Sequence, residues 1–171
     1  GGETKATMVF NGEGSMTWPN GSSYAGDLVG SAFHGHGTFK WANGDMYEGD
    51  CCDSGASGNG WKRWRNGNVY EGDFRHGKAH GIGIFKRPSG DVYEGGFQDG
   101  MYEGRGVMDT SSGNRYEGDF SRGFYAGHGV LLFVNGGRYE GGFRDGEYEG
   151  HGVLKTGRGD RYEGDFSRGV Y

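Results

Sequence analysis

Tyrosine returns every 23 residues without slippage, at Tyr24, Tyr47, Tyr70, Tyr93, Tyr116, Tyr139 and Tyr162, and a glycine stands two places after each. So strict a period calls for one small supersecondary unit stacked on copies of itself. The chain is therefore expected to form a repeat array, whose working part is an extended surface rather than a pocket. Counting from each Tyr as zero, the unit beginning at Tyr70 carries Gly72, Asp73, Phe74, Gly77, Gly81, Gly83, Phe85 and Gly90. Glycines at plus eleven, plus thirteen and plus twenty recur in all six complete units. Residues 1–23 read as a partial unit, 24–161 as six full ones and 162–171 as the start of another, so the chain has the look of an excerpt from a longer array.

Forty-one glycines in 171 residues would suit collagen or disorder, but no glycine recurs every third residue, and aromatics on a strict period argue for order. With 32% hydrophobic residues the chain lacks material for one central core and suits a thin core shared between neighbouring units. A formal net charge of −5 disfavours nucleic acid, which needs a basic footprint. No apolar run approaches the roughly 18 residues of a membrane-spanning helix, and no signal peptide is visible, so a cytoplasmic location is the expectation.

Within Tyr70-Glu71-Gly72-Asp73-Phe74, apolar and acidic residues alternate with the period of a half-buried strand, placing Tyr70, Gly72 and Phe74 on one face. The later run from His80 to Phe85 places Gly81, Gly83 and Phe85 on one face in the same way. Each unit is thus read as a pair of strands. Asn20-Gly21, Asn43-Gly44, Asn66-Gly67, Ser89-Gly90, Ser112-Gly113 and Asn135-Gly136 fall between units, and such pairs signal type I′ hairpin turns that link one unit to the next. Asn20-Gly21-Ser22 also fits a glycosylation sequon, which the turn already explains. Glycine weakens a strand, so Gly81 and Gly83 are expected to be sockets over which aromatic rings lie. The architecture that follows is all-β: an elongated single-layer antiparallel meander, one hairpin per repeat, advancing roughly 10 Å per unit and about 70 Å over seven.

Tyr-Glu-Gly-Asp-Phe, then Gly, then His-Gly-x-Gly, then Asn-Gly, every 23 residues, resembles the MORN repeat (membrane occupation and recognition nexus), over essentially the whole chain. The resemblance implies a twisted single-sheet ribbon with a groove lined by the repeated aromatics. It implies no one activity, because in enzymes that carry such arrays catalysis belongs to another domain. Phe, Leu or Cys stands where the family often has Trp, and Asp50 to Ser57 depart from the pattern, where a local distortion is expected. Cys51 and Cys52 make no disulfide framework; Cys51 is expected to fill the space of the usual Phe and Cys52 to face outward.

Several features are candidate sites. The aromatic face, Tyr70, Phe74, Phe85, Tyr93, Phe97, Tyr116, Phe120, Tyr139 and Phe143, could receive an amphipathic helix or an extended peptide. A second row falls nine residues after the repeat tyrosines, Phe33, Tyr102, Tyr125, Tyr148 and Tyr171, interrupted by Ala56 and Ala79. It reads either as a partner surface or as packing over the adjacent loops. Trp61, Lys62, Arg63, Trp64 and Arg65 form the one basic aromatic cluster and the candidate for anionic phospholipid. Asp99 and Asp145 alternate with Arg122 and Arg168 at a doubled period of 46 residues, a candidate charge ladder. The histidines, His34 and His36 included, are spaced wrongly for zinc, so no metal and no cofactor are expected. No nucleophile, base and orienter fall together, so no catalytic residue is expected. The leading expectation is a noncatalytic scaffold for protein partners or self-association, in a cytoskeletal or ciliary complex. The alternatives are a peripheral phosphoinositide-binding module at a membrane and the targeting region of a larger enzyme.

Overall fold

The computed structural model describes residues 9–170, and all of its regular elements are β-strands. They are β1 (Gly12–Thr17), β2 (Ser23–Val29), β3 (Ala32–Lys40), β4 (Met46–Cys52), β5 (Gly55–Arg63), β6 (Val69–Arg75) and β7 (Lys78–Lys86). There follow β8 (Val92–Gln98), β9 (Met101–Asp109), β10 (Arg115–Ser121), β11 (Phe124–Leu132), β12 (Arg138–Arg144), β13 (Glu147–Lys155) and β14 (Arg161–Phe166). The fourteen strands make one antiparallel sheet in strict chain order, the meander that the period implies. Tyr171 and residues 1–8 lie outside the described residues.

The tyrosines build the core and the glycines make room for them. In the Tyr70 unit, Gly72 of β6 pairs with Gly83 of β7, and a Cβ on Gly83 would sit 2.5 Å from Cε2 of the Tyr70 ring. The same holds from Gly37 to Gly152 in the other complete units. The ring thus lies flat on its own hairpin, with its hydroxyl donating to the Asp73 carbonyl at 2.8 Å. All six motif tyrosines from Tyr24 to Tyr139 are at most 2% exposed. The phenylalanine of the following unit turns its edge into this ring: Tyr47 to Phe74 at 5.0 Å, Tyr70 to Phe97 at 4.8 Å, Tyr93 to Phe120 at 4.8 Å and Tyr116 to Phe143 at 5.0 Å, all near perpendicular. Each buried phenylalanine contributes about 2–3 kcal/mol by leaving water, plus roughly 1 kcal/mol from edge-to-face geometry. The core is therefore a row of rings stitched from unit to unit.

Gly81 is a socket of a different kind. Between the Gly72–Gly83 and Phe74–Ala79 pairs, β7 uses four steps where β6 uses two, a β-bulge that recurs through the array. The bulge turns Gly81, at φ 60°, toward the Asp73 side chain and away from the rings, correcting the expectation that both glycines seat an aromatic. The Asp73 carboxylate closes the bulge by accepting from the Ile82 N–H at 3.1 Å.

The two kinds of hairpin are also exchanged relative to expectation. The tight turns lie within units, at His76-Gly77, Asp99-Gly100, Arg122-Gly123, Asp145-Gly146 and Arg168-Gly169, where both residues have positive φ, as type I′ requires. Between units the loops are longer. In Trp41-Ala42-Asn43-Gly44 the Gly44 N–H donates to the Trp41 carbonyl at 2.9 Å, and of the Asn43-Gly44 pair the glycine alone has positive φ. Asn43 instead uses its side chain, accepting from the Asp45 N–H at 2.9 Å. The expected distortion at Asp50 to Ser57 does not occur. The register of β4 with β5 matches that of its neighbours, with Asp53 and Ser54 adopting the positive φ of the other tight turns. Cys51 is buried in the place of the usual phenylalanine and Cys52 is exposed, as read from the pattern.

Candidate functional site

Side chains at plus nine decide what the aromatic face offers. Phe33, Tyr102, Tyr125 and Tyr148 each lie flat over the motif tyrosine of their own unit, with ring centroids 4.1, 3.9, 3.8 and 4.0 Å apart. They pack on the core rings rather than on the loops. Ala56 and Ala79 supply no ring over Tyr47 or Tyr70, and there the face is hollow.

The larger hollow, over Ala79, encloses about 510 Å³ between Trp64, Phe85, Phe97, Tyr102 and Phe124. Tyr70 stays buried beneath it, while Ala79, Phe85 and Tyr102 are half-buried and form its walls. Met101 and Phe124 stand on the rim at 49% and 55% exposure. Three cations border it: Lys78, Arg122, and Arg87, whose guanidinium lies 5.7 Å from the Phe85 ring centroid. The smaller hollow, over Ala56, encloses about 280 Å³ among Phe33, Phe39, Trp41, Cys51 and Lys62. Gly77 borders both, so the two hollows adjoin along one face of the sheet.

Lys62 is the charge inside this groove. It occupies the plus-fifteen position, filled elsewhere by Phe39, Phe85, Met108, Leu131 and Leu154, and pairs across the sheet with Tyr47 and Tyr70. Its Nζ lies 5.1 Å from the Trp41 ring and 5.0 Å from the Trp64 ring, and among the described residues no hydrogen bond or ion pair engages it. Burial pushes the Lys62 ammonium below its ordinary pKa, with Asp45 partly opposing. The sequence held the signal for this position in the alignment of units, where Lys62 is the single charge in an apolar column.

The basic aromatic cluster is divided by strand alternation. Lys62 and Trp64 join the groove, whereas Trp61 stands on the opposite face between Glu48 and Glu71. Arg63 Nη2 donates to Met46 Sδ at 3.2 Å, and Arg65 lies in the loop, its N–H donating to Asp45 at 2.8 Å. Of the predicted groove residues, Tyr70, Phe74 and Phe97 lie beneath the hollow over Ala79 and Phe85 is its accessible wall, whereas Tyr93, Tyr116, Phe120, Tyr139 and Phe143, each at most 5% exposed, lie outside it in the core.

The doubled charge period does not form a ladder of ion pairs. No ion pair joins Asp99 to Arg122 or Asp145 to Arg168 among the described residues. Instead Glu103 and Glu149 accept from the backbone N–H of Arg122 and Arg168, at 2.9 and 3.3 Å, in the units where Gly96 and Gly142 replace the bulge-closing aspartate. Among the described residues no three His, Cys, Asp or Glu side chains converge to hold a metal ion. Among the described residues no helix is long and apolar enough to cross a membrane.

A family model described as MORN repeat matches residues 9–23, 24–46, 55–69, 70–92, 93–115, 116–138 and 139–161. No curated protein matches the chain. Among solved structures, the TCP domain of SAS-4 (dCPAP) from Drosophila melanogaster, in complex with a proline-rich motif of Ana2 (dSTIL), has a TM-score of 0.55 at 12% identity. That similarity covers 97% of this chain and 96% of that one. The TCP10 domain of Danio rerio CPAP, in complex with a peptide of Danio rerio STIL, gives a TM-score of 0.34 at 13% identity, over 94% of this chain and 98% of that one.

Proposed function

The chain belongs to the MORN-repeat family, and from that premise we propose that it is a noncatalytic scaffold that binds an extended segment of a partner protein along the groove over Ala56 and Ala79. One observation carries the reading: the row of covering rings breaks at two consecutive units and leaves two adjoining hollows walled largely by aromatic rings. A groove walled by aromatic rings suits an extended or polyproline segment, which brings its own preformed shape and little entropy to lose. The similar sheet of the SAS-4 TCP domain, solved with a proline-rich motif, supports the same class of ligand.

Anionic phospholipid is the second reading, and strand alternation weakens it, since Lys62 and Arg63 point to opposite faces. Placement in a cytoskeletal or ciliary assembly belongs to the proposal as well. A photo-crosslinking residue at Phe124, on the rim, should capture the partner, whereas one at Ile82, 66% exposed on the other face, should not. Ala79→Tyr, which fills the trough with the ring used at Tyr102, should abolish capture. Equal capture from both faces, or capture by Ala79→Tyr, would overturn the reading.

A further inference from the structure

Resting on that reading, we infer that the bound segment presents a carboxylate to Lys62 and, three residues away, an aromatic or large apolar side chain to the hollow over Ala79. The first element of the argument is the state of Lys62. Its ammonium is half-buried between two indole rings, at 5.0 and 5.1 Å from their centroids, with no acceptor on it among the described residues. Aromatic faces stabilise a cation, yet an ammonium keeps three donors to satisfy, and an incoming carboxylate satisfies them best. An apolar residue fills this position in the five other complete units, so the fold does not require a charge there.

The second element is the rim. The chain is acidic overall, yet three cations border the groove: Arg87 is paired with Asp91 at 3.6 Å, while Lys78 and Arg122 make no ion pair among the described residues. Charge complementarity therefore selects an acidic segment. The third element is spacing. The two hollows lie over equivalent positions of adjacent units, one hairpin apart, which is about 10 Å for two strands of sheet. A polyproline segment rises about 3.1 Å per residue and returns to the same face every third residue, so positions i and i+3 lie roughly 9 Å apart on one side. Lys62 lines the hollow over Ala56, so an acid seated there and an apolar anchor seated over Ala79 lie about that far apart.

The test uses fluorescein-labelled proline-rich peptides carrying one Glu and one Trp, in both orders, with two prolines between them. Matched peptides replace Glu by Gln or place Glu and Trp side by side. Anisotropy titrations would be run against the whole chain, Lys62→Leu and Ala79→Tyr; both variants carry the residue of another unit and should keep the fold, checked by circular dichroism. One order of the spaced peptide should bind. Glu to Gln should weaken it by about tenfold or more, as should Lys62→Leu, and combining the two should add little. The adjacent-residue peptide should bind no better than the Gln peptide.

Binding indifferent to both Lys62→Leu and Gln, yet lost in Ala79→Tyr, would remove the acidic anchor and leave the groove reading intact. Binding that survives Ala79→Tyr would remove both. Absence of binding by either spaced order at millimolar peptide would overturn the inference on its own terms, while rim crosslinking decides the groove independently.

Discussion

The units that begin at Tyr47 and Tyr70 and those from Tyr93 onward share one backbone and differ in what covers it. In both regions a motif tyrosine lies on two glycines and receives the edge of the next phenylalanine. In the later region Tyr102, Tyr125 and Tyr148 lie flat over these rings, while Ala56 and Ala79 leave the earlier region hollow. The motif tyrosines stay buried in either case, so the covering ring is dispensable for the sheet. The sheet depends on the tyrosine, its two glycines and the phenylalanine, and the covering position is left free to vary with the surface's task.

The largest expected effect ignores the difference between the two regions. Burial pushes Tyr24 and Tyr70 up to about 12 and raises Tyr47, Tyr93 and Tyr116 further. An unfolded phenol ionises near pH ~10, so between about pH 10 and 12 the unfolded chain has lost protons that the folded chain retains. Stability is therefore unaffected below that window and falls as pH rises through it, by roughly 2–3 kcal/mol for each of Tyr24 and Tyr70. The phenolate absorbance of these five tyrosines should rise together with the loss of the circular dichroism of the sheet. Ionisation of Tyr24, Tyr47, Tyr70, Tyr93 and Tyr116 near pH ~10 with the sheet intact would contradict the buried core.

Next in size is Gly83→Leu, whose Cβ would fall 2.5 Å from the Tyr70 ring, with the rest of the side chain in a filled space. A loss of about 3 kcal/mol is expected in urea unfolding. Gly77→Ala meets no atom within 4 Å and should lose only about 1 kcal/mol, from its φ of 75°. Equal losses at the two glycines would break the claim that Gly83 is a ring socket.

Exchanging the covering residues tests the comparison directly. Tyr125→Ala should cost about 2 kcal/mol, because the ring is half-buried and stacked at 3.8 Å on Tyr116, and should open a third hollow. Ala79→Tyr should be neutral or stabilise by up to about 1 kcal/mol while removing ligand binding. Calorimetry would give the first pair of numbers and anisotropy the second. If Ala79→Tyr strongly destabilised the array, the hollow would be a packing requirement and not a binding feature.

The sheet was legible because the period locates every tyrosine, glycine and phenylalanine that builds it. The turns were misread because an Asn-Gly pair has two uses, and only the backbone shows that Asn43 bonds with its side chain instead of taking a positive φ. Gly81 was misread because a two-residue alternation cannot anticipate a bulge that changes where its neighbours point. The second aromatic row is legible in the sequence, but its partner within the unit is not, since stacking of Tyr102 on Tyr93 depends on the hairpin register. Chain order sets Lys62 beside Trp61 and Arg63, whereas strand alternation allies it with Trp41, 21 places earlier.

The smallest expected effect serves as a control of face. Glu71 is exposed on the side opposite the groove, in register with Trp61 and Ile84, and makes no ion pair among the described residues. Glu71→Ala should change urea stability by less than about 0.5 kcal/mol. It should also leave peptide affinity unaltered, because its carboxylate and Lys62 lie on opposite sides of a sheet one residue thick. That pairing of outcomes is informative, since removing an acid from an acidic chain would strengthen any binding driven by net charge alone. A gain in affinity for the Glu-bearing peptide would show that long-range attraction, rather than the ammonium between Trp41 and Trp64, selects the acidic segment.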